Sequence, residues 1–146
     1  MTEAMNTDLS GKRAIVTGAS RGIGEAIAGR LATAGAQVAL VSRRREGLED
    51  VASRLDTETM VVTANMSRSE EIAAIVPAVT AKWGGVDILV NNAGTNPVFG
   101  PIVEIEEPAW DKTFDTNLKG PFLLAKAAAA EMEKAGGGAI VNIAST

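Results

Sequence analysis

The sequence predicts an α/β fold of three layers, a doubly wound, Rossmann-like parallel sheet with helices on both faces. Short apolar runs alternate with segments of helical periodicity along most of the chain. Apolar and polar residues do not alternate in these runs, as they would in a sheet with one solvent-exposed face. Continuous apolar runs are expected when helices cover both faces of parallel strands. The order β-α-β-α-β-α-β-α-β then gives right-handed crossovers. The strands are predicted at residues 14–17, 37–42, 60–64, 87–91 and 139–143.

Helices are predicted between these strands, from apolar residues that recur every three or four positions and form one stripe facing the sheet. The last helix is expected from about 108 to 133, with its stripe on one face. Ser67 and Glu70 have the form of a capping box for the third helix, and Pro77 is expected to kink that helix or weaken a turn. The four stripes are Ile23, Ile27 and Leu31; Leu48, Val51 and Leu55; Ile72, Ile75, Val79 and Trp83; and Trp110, Phe114, Leu118 and Phe122.

Composition narrows the range of functions. The 146 residues suffice for one domain, predicted at 10–146 after a flexible tail at 1–9. A net charge of -4 and no basic run longer than Arg43–Arg45 argue against nucleic-acid binding. The chain has no cysteine and no histidine, so no metal site is predicted. It has neither an apolar segment of roughly 18 residues nor a signal peptide, so no membrane association and a cytoplasmic location are expected.

A glycine turn between the first strand and the first helix is the most informative segment. Thr17 is followed by Gly18, Gly22 and Gly24. Glycines let a phosphate approach backbone N–H groups, and the positive end of the following helix dipole attracts an anion. A purely structural turn is the alternative, but the strand-turn-helix context favours binding of a dinucleotide.

Polar residues follow several of the predicted strands at their carboxyl ends. The glycine turn follows the first strand, Ser42 and Arg43 end the second, 91–94 end the fourth, and Ser145 follows the fifth. In a doubly wound sheet these ends share one edge, where ligands bind. The sequence therefore predicts a ligand site at that edge.

The end of the second strand indicates which dinucleotide binds. Folds that prefer NAD place an acidic residue there, on the ribose 2′-hydroxyl. Here Ser42 is followed by Arg43, and Arg21 adds positive charge from the glycine turn. These residues favour the 2′-phosphate of NADP(H) over NAD. Alternatively, the arginines only form the solvated start of a helix.

Four segments together resemble the short-chain dehydrogenase/reductase family. They are Thr17-Gly18-Ala19-Ser20-Arg21-Gly22-Ile23-Gly24, Asn91-Asn92-Ala93-Gly94, Asn117-Leu118-Lys119-Gly120-Pro121-Phe122 and Ile140-Val141-Asn142-Ile143-Ala144-Ser145. The resemblance implies an oxidoreductase that transfers a hydride between NADP(H) and a carbonyl or secondary alcohol substrate. Within the family, the chain is weakly similar to carbonyl reductase-like members, in the segment from Asn96 to Thr113. A homo-oligomer of the complete protein is also implied.

The resemblance also assigns roles to single residues. Asn117 would hold a water in a proton relay and Ser145 would orient the substrate carbonyl, although each could instead be an ordinary structural residue. Asn91 is expected to brace the neighbouring strand. Asn65 stands where the family has an Asp that contacts adenine. The residues implied to bind the cofactor are Gly18, Ser20, Arg21, Gly22, Ile23, Gly24, Ser42, Arg43, Asn65, Met66, Asn92, Ala93 and Gly94.

The chain contains no tyrosine. In the family, a Tyr within a Tyr-x-x-x-Lys motif downstream of the serine protonates the substrate oxygen. The 146-residue chain is therefore expected to be inactive alone and to be the N-terminal part of a longer reductase, with the fifth strand left as an exposed apolar edge. The alternative function is a non-catalytic dinucleotide-binding fragment or interaction module.

Overall fold

A parallel sheet of five strands runs through residues 7–145, the part of the chain that the computed structural model describes. The strands lie in the order β3-β2-β1-β4-β5 and every neighbouring pair is parallel, which confirms the predicted doubly wound sheet. Each predicted strand is present, with ends that move by at most one residue. The strands are β1 Arg13–Thr17, β2 Gln37–Ser42, β3 Thr59–Thr63, β4 Ile88–Asn91 and β5 Ala139–Asn142.

Helices cover both faces of the sheet and bury two apolar cores. Ile15 of β1 packs in the core beneath α3 and α5, whereas Val16 points to the opposite core beneath α1 and α2. This division follows from the alternation of side chains along a strand. The helices are α1 Gly22–Thr33, α2 Arg45–Ser53, α3 Ser69–Trp83, α4 Glu107–Phe114 and α5 Gly120–Lys134.

The face that α1 buries differs from the predicted stripe. Ile23 is 65% exposed, and the buried row is Gly24, Ala28 and Ala32. Small residues on that row let the helix lie close to the sheet at the glycine turn, while Ile27 and Leu31 pack at its flank. The predicted stripe was therefore wrong for this helix.

Two local predictions about helix ends also need correction. The predicted helix at 108–133 is divided by a π-helical segment, Asp115–Lys119, between α4 and α5. The capping box was wrong as well, because α3 begins at Ser69 and the Ser67 hydroxyl donates to Asn65 Oδ1 rather than capping the helix. Pro77 lies on the exposed side of α3, which continues past it.

The predicted stripe of the last helix is exposed. Trp110, Phe114, Leu118 and Phe122 are each at least 41% accessible, while α5 packs on the sheet through Leu124, Ala128 and Met132. All four residues of β5, the outermost described strand on that side, are exposed too. The expected apolar edge is thus present.

An ion pair ties β1 to the start of β4 at the amino edge of the sheet. Arg13 Nε donates to Asp87 Oδ2 at 2.7 Å, and the Arg13 backbone N–H donates to the same oxygen at 2.8 Å. These hydrogen bonds lower the pKa of Asp87, and its carboxylate raises the pKa of Arg13. The pair stabilises the register of β1 and β4, whose carboxyl ends lie at the predicted ligand edge.

Residues 1–6 of the predicted tail at 1–9, together with Thr146, lie outside the described residues. At the last residue of the predicted tail, the Leu9 backbone N–H donates to the Ala34 carbonyl at 2.7 Å. Within residues 7–145, no helix combines the length and apolar character needed to cross a membrane.

Candidate functional site

A cavity of about 290 Å³ lies at the carboxyl edge of the sheet. Its walls come from the ends of β1, β2, β3 and β4. The sequence predicted that the ends of β1, β2, β4 and β5 meet at this edge; the end of β3 joins them, whereas no described residue after β5 lines the cavity. Four lining residues were not predicted, namely Ala64, Thr95, Lys112 and Thr116. The predicted residues that line it are Gly18, Ser20, Arg21, Ser42, Arg43, Asn65, Met66, Asn92, Ala93 and Gly94.

The glycine turn forms one end of this cavity. Gly18 and Gly22 have φ of +66° and +59°, a left-handed conformation that other residues adopt at a cost. A Cβ on Gly24 would overlap the carbonyl oxygen of Gly18, so Gly24 serves close packing. Gly22, Ile23 and Gly24 do not line the cavity themselves, but they begin α1 beside it.

Thr17 anchors the loop after β4 to the glycine turn. Its hydroxyl is buried and accepts the backbone N–H groups of Asn92 and Ala93, each at 3.0 Å. Asn92 Nδ2 in turn donates to the Thr17 carbonyl at 3.0 Å. The Asn92 side chain is therefore engaged with the β1 backbone. Sequence reasoning did not select Thr17, although its place directly before the first glycine was the available signal.

The two candidate catalytic residues lie outside the cavity lining. Asn117 is in the π-helical segment and makes two hydrogen bonds to the backbone of Thr95, which does line the cavity. Ser145 follows β5 at the same edge of the sheet. Asn91 links β4 to β5 as expected, since its Nδ2 donates to Asn142 Oδ1 at 3.0 Å. The same amide group donates to the Pro121 carbonyl at 3.4 Å.

The charge of the cavity is positive, although the chain as a whole is acidic. Arg21, Arg43 and Lys112 line it, and no carboxylate is among the described lining residues. None of these three cations forms an ion pair with another residue in 7–145. Together with the N-terminus of α1, unpaired cations in a concave site suit a ligand with several negative charges.

Comparison with known proteins identifies the family. The sequence model of the short chain dehydrogenases matches residues 12–146. The chain belongs to this family. Human "dehydrogenase/reductase SDR family member 4" is 42% identical over 140 residues, which cover 94% of this chain and 50% of the relative. The chain thus spans about half the length of the curated relatives it matches.

Solved structures of short-chain dehydrogenases share the fold. A metagenomic short-chain oxidoreductase in complex with NADP is 43% identical, with a TM-score of 0.88 over 94% of this chain and 64% of that one. L-sorbose reductase from Gluconobacter frateurii, complexed with NADPH and L-sorbose, is 34% identical, with a TM-score of 0.89 over 94% of this chain and 54% of that one. Short-chain dehydrogenases use nicotinamide dinucleotides, and the shape and charge of the cavity fit such a group.

Proposed function

We propose that this chain binds NADP(H) and supplies the cofactor-binding part of an oxidoreductase that acts on a carbonyl compound or a secondary alcohol. The observation that carries the proposal is the positive charge of the cavity. Arg21, Arg43 and Lys112 line it, and none of its described lining residues is an Asp or a Glu. An acidic side chain at the end of β2 would repel a 2′-phosphate, whereas Arg43 binds it through charge-assisted hydrogen bonds.

The proposed binding mode follows the edge of the sheet. The glycine turn and the N-terminus of α1 hold the pyrophosphate, because free backbone N–H groups and the positive end of the helix dipole attract an anion there. Gly18 keeps this turn closely packed, since a Cβ on it would come within 2.8 Å of Asn92 Nδ2. Ser42 and Arg43, one strand further out, bind the 2′-phosphate. Bound NADP(H) supplies the hydride chemistry.

The proposed catalytic roles fall at the β4 and β5 ends of the same edge. Ser145 donates a hydrogen bond to the substrate oxygen and so orients it. Asn117 holds Thr95, and with it the loop that leaves β4, and keeps a water in the proton relay. Both roles are those that the family resemblance implies.

The 2′-phosphate contact is tested by titrating NADPH and NADH against the chain and following fluorescence. Arg43→Ala is expected to weaken NADPH binding about tenfold or more, because hydrogen bonds to charged groups are the stronger ones, and to leave NADH binding nearly unchanged. Arg44→Ala is the matched control, since Arg44 is exposed and does not line the cavity. An Arg43→Ala variant that keeps its NADPH affinity would contradict the proposal.

The absence of tyrosine favours a second candidate, a dinucleotide-binding module without turnover. A positioned general acid contributes on the order of 10² to 10⁴ to the rate, and the family's Tyr is missing here. We expect the 146-residue chain to bind NADPH but not to oxidise it with a panel of ketones and aldehydes. Turnover by the chain alone would contradict this candidate.

A further inference from the structure

Asn65, which lines the cavity at the end of β3, has nearly all its hydrogen-bonding groups engaged inside the protein. Its backbone N–H donates to Glu71 Oε2 at 2.7 Å, and its carbonyl accepts the Arg68 N–H at 3.0 Å. Its Oδ1 accepts both the Ser67 backbone N–H at 3.0 Å and the Ser67 hydroxyl at 2.9 Å. Both lone pairs of Oδ1 are therefore in use.

The orientation of the Asn65 amide follows from this contact. A backbone N–H can only donate, so the side-chain atom 3.0 Å from Ser67 N is the oxygen. The nitrogen, Nδ2, then lies on the other side and makes no hydrogen bond to any residue of the described chain. Nδ2 is not fully buried, so solvent or a ligand can reach it. The polar side-chain group that Asn65 has left for a ligand is thus a donor.

The order of the strands places a nucleobase beside this donor. The cavity extends from the glycine turn after β1, past Ser42 and Arg43 after β2, to residues 64–66 after β3. A dinucleotide with its pyrophosphate at the glycine turn and its ribose at the end of β2 reaches the end of β3 with its base. Ala64 and Met66 there are buried and apolar, which suits a flat ring. This step rests on the proposed function.

We propose that Asn65 recognises the purine of the cofactor as a hydrogen-bond donor, through Nδ2, and does not accept a hydrogen bond from the 6-amino group of adenine. Adenine then offers Asn65 only its ring nitrogens, whereas a purine with oxygen at position 6 offers it a carbonyl acceptor. A carboxylate at this position would have the opposite preference, because one of its oxygens would remain free to accept from the amino group.

The test compares the affinity of the whole chain for NADPH and for the reduced hypoxanthine analogue, in which oxygen replaces the 6-amino group. We expect the chain to prefer NADPH by less than threefold, or to prefer the analogue. In Asn65→Asp the affinity for NADPH relative to the analogue is expected to rise about threefold to tenfold. This is the change in affinity that one additional hydrogen bond gives. A preference of threefold or more for NADPH in the unaltered chain, or an unchanged ratio in Asn65→Asp, would overturn the proposal.

The ratio separates recognition of the base from other effects of the substitution. A new negative charge weakens binding of both dinucleotides equally and leaves their ratio unchanged. Asn96→Asp adds the same charge at an exposed position outside the cavity lining and is expected to leave the ratio as it is. Failure of the unaltered chain to bind either dinucleotide would instead overturn the proposed NADP(H) function.

Discussion

Asn117 holds both backbone polar groups of Thr95. Its Nδ2 donates to the Thr95 carbonyl, and its Oδ1 accepts the Thr95 N–H, each at 2.8 Å. One side chain thereby does what a neighbouring strand would do for the segment that leaves β4. It reaches that segment from the π-helical turn between α4 and α5, and such turns are often found at functional sites.

Asn117→Ala is expected to release this segment. Loss of the two hydrogen bonds should accelerate amide hydrogen exchange at Thr95 and lower the free energy of unfolding by about 1 kcal/mol. Exchange measured by NMR, with Asn96→Ala as the control at a neighbouring exposed position, checks the effect. Unchanged protection of the Thr95 amide would show that the contact does not hold the loop.

Two glycines of α1 should respond to alanine in opposite directions. A Cβ on Gly24 would collide with the Gly18 carbonyl, whereas a Cβ on Gly29 would meet nothing within 4 Å. Gly24→Ala is expected to lower the free energy of unfolding by about 1–3 kcal/mol or more, since the backbone must shift. Gly29→Ala should raise it by about 0.5–1 kcal/mol through helix propensity. Urea unfolding measures both, and equal effects would contradict the packing described for the turn.

The Arg13–Asp87 pair predicts a dependence of stability on pH. The pair lowers the pKa of Asp87, so this carboxylate stabilises the fold fully above its unfolded pKa of about 3.9. The contribution is lost as the pH falls from there through the lower folded pKa, because the unfolded chain takes up the proton first.

Asp87→Asn should therefore lower the free energy of unfolding by about 2–4 kcal/mol at pH 7, since it leaves the half-buried Arg13 without its counter-charge. The difference from the unaltered chain should shrink below about pH 4, near the ordinary carboxyl pKa. Urea unfolding at a series of pH values measures this, with Asp56→Asn at an exposed position as the control. A difference that stays constant into acid would mean that the ionised pair contributes nothing.

Periodicity predicted the sheet well because parallel strands buried on both faces leave continuous apolar runs. It failed on α1, where the buried row is Gly24, Ala28 and Ala32, since hydrophobicity alone does not show that a close approach needs small residues. It also missed the π-helical turn, because five residues in a longer helical segment keep the same apolar spacing. The exposed row Trp110–Phe122 has a helical period, but a period does not tell which side faces the sheet.

For the site, the glycine turn and the strand ends were enough to bring most of the predicted cofactor residues to one cavity. Lys112 and Thr116 were missed, because they lie on a distant helical segment and reach the cavity only through tertiary packing. The engagement of Asn65 Oδ1 with Ser67 could not be predicted either, since the spacing of Ser67 and Glu70 favoured a capping box in which Ser67 binds the helix instead.

The ion pair between Arg13 and Asp87 lies at the opposite edge of the sheet from the cavity. Substitutions at distant sites without shared partners have nearly additive effects on stability. Substitutions that strengthen the Arg13–Asp87 pair should therefore raise stability without altering the cavity. In such a stabilised chain, a library of variants at Arg21, Arg43, Asn65 and Lys112 can be selected for binding of a new coenzyme.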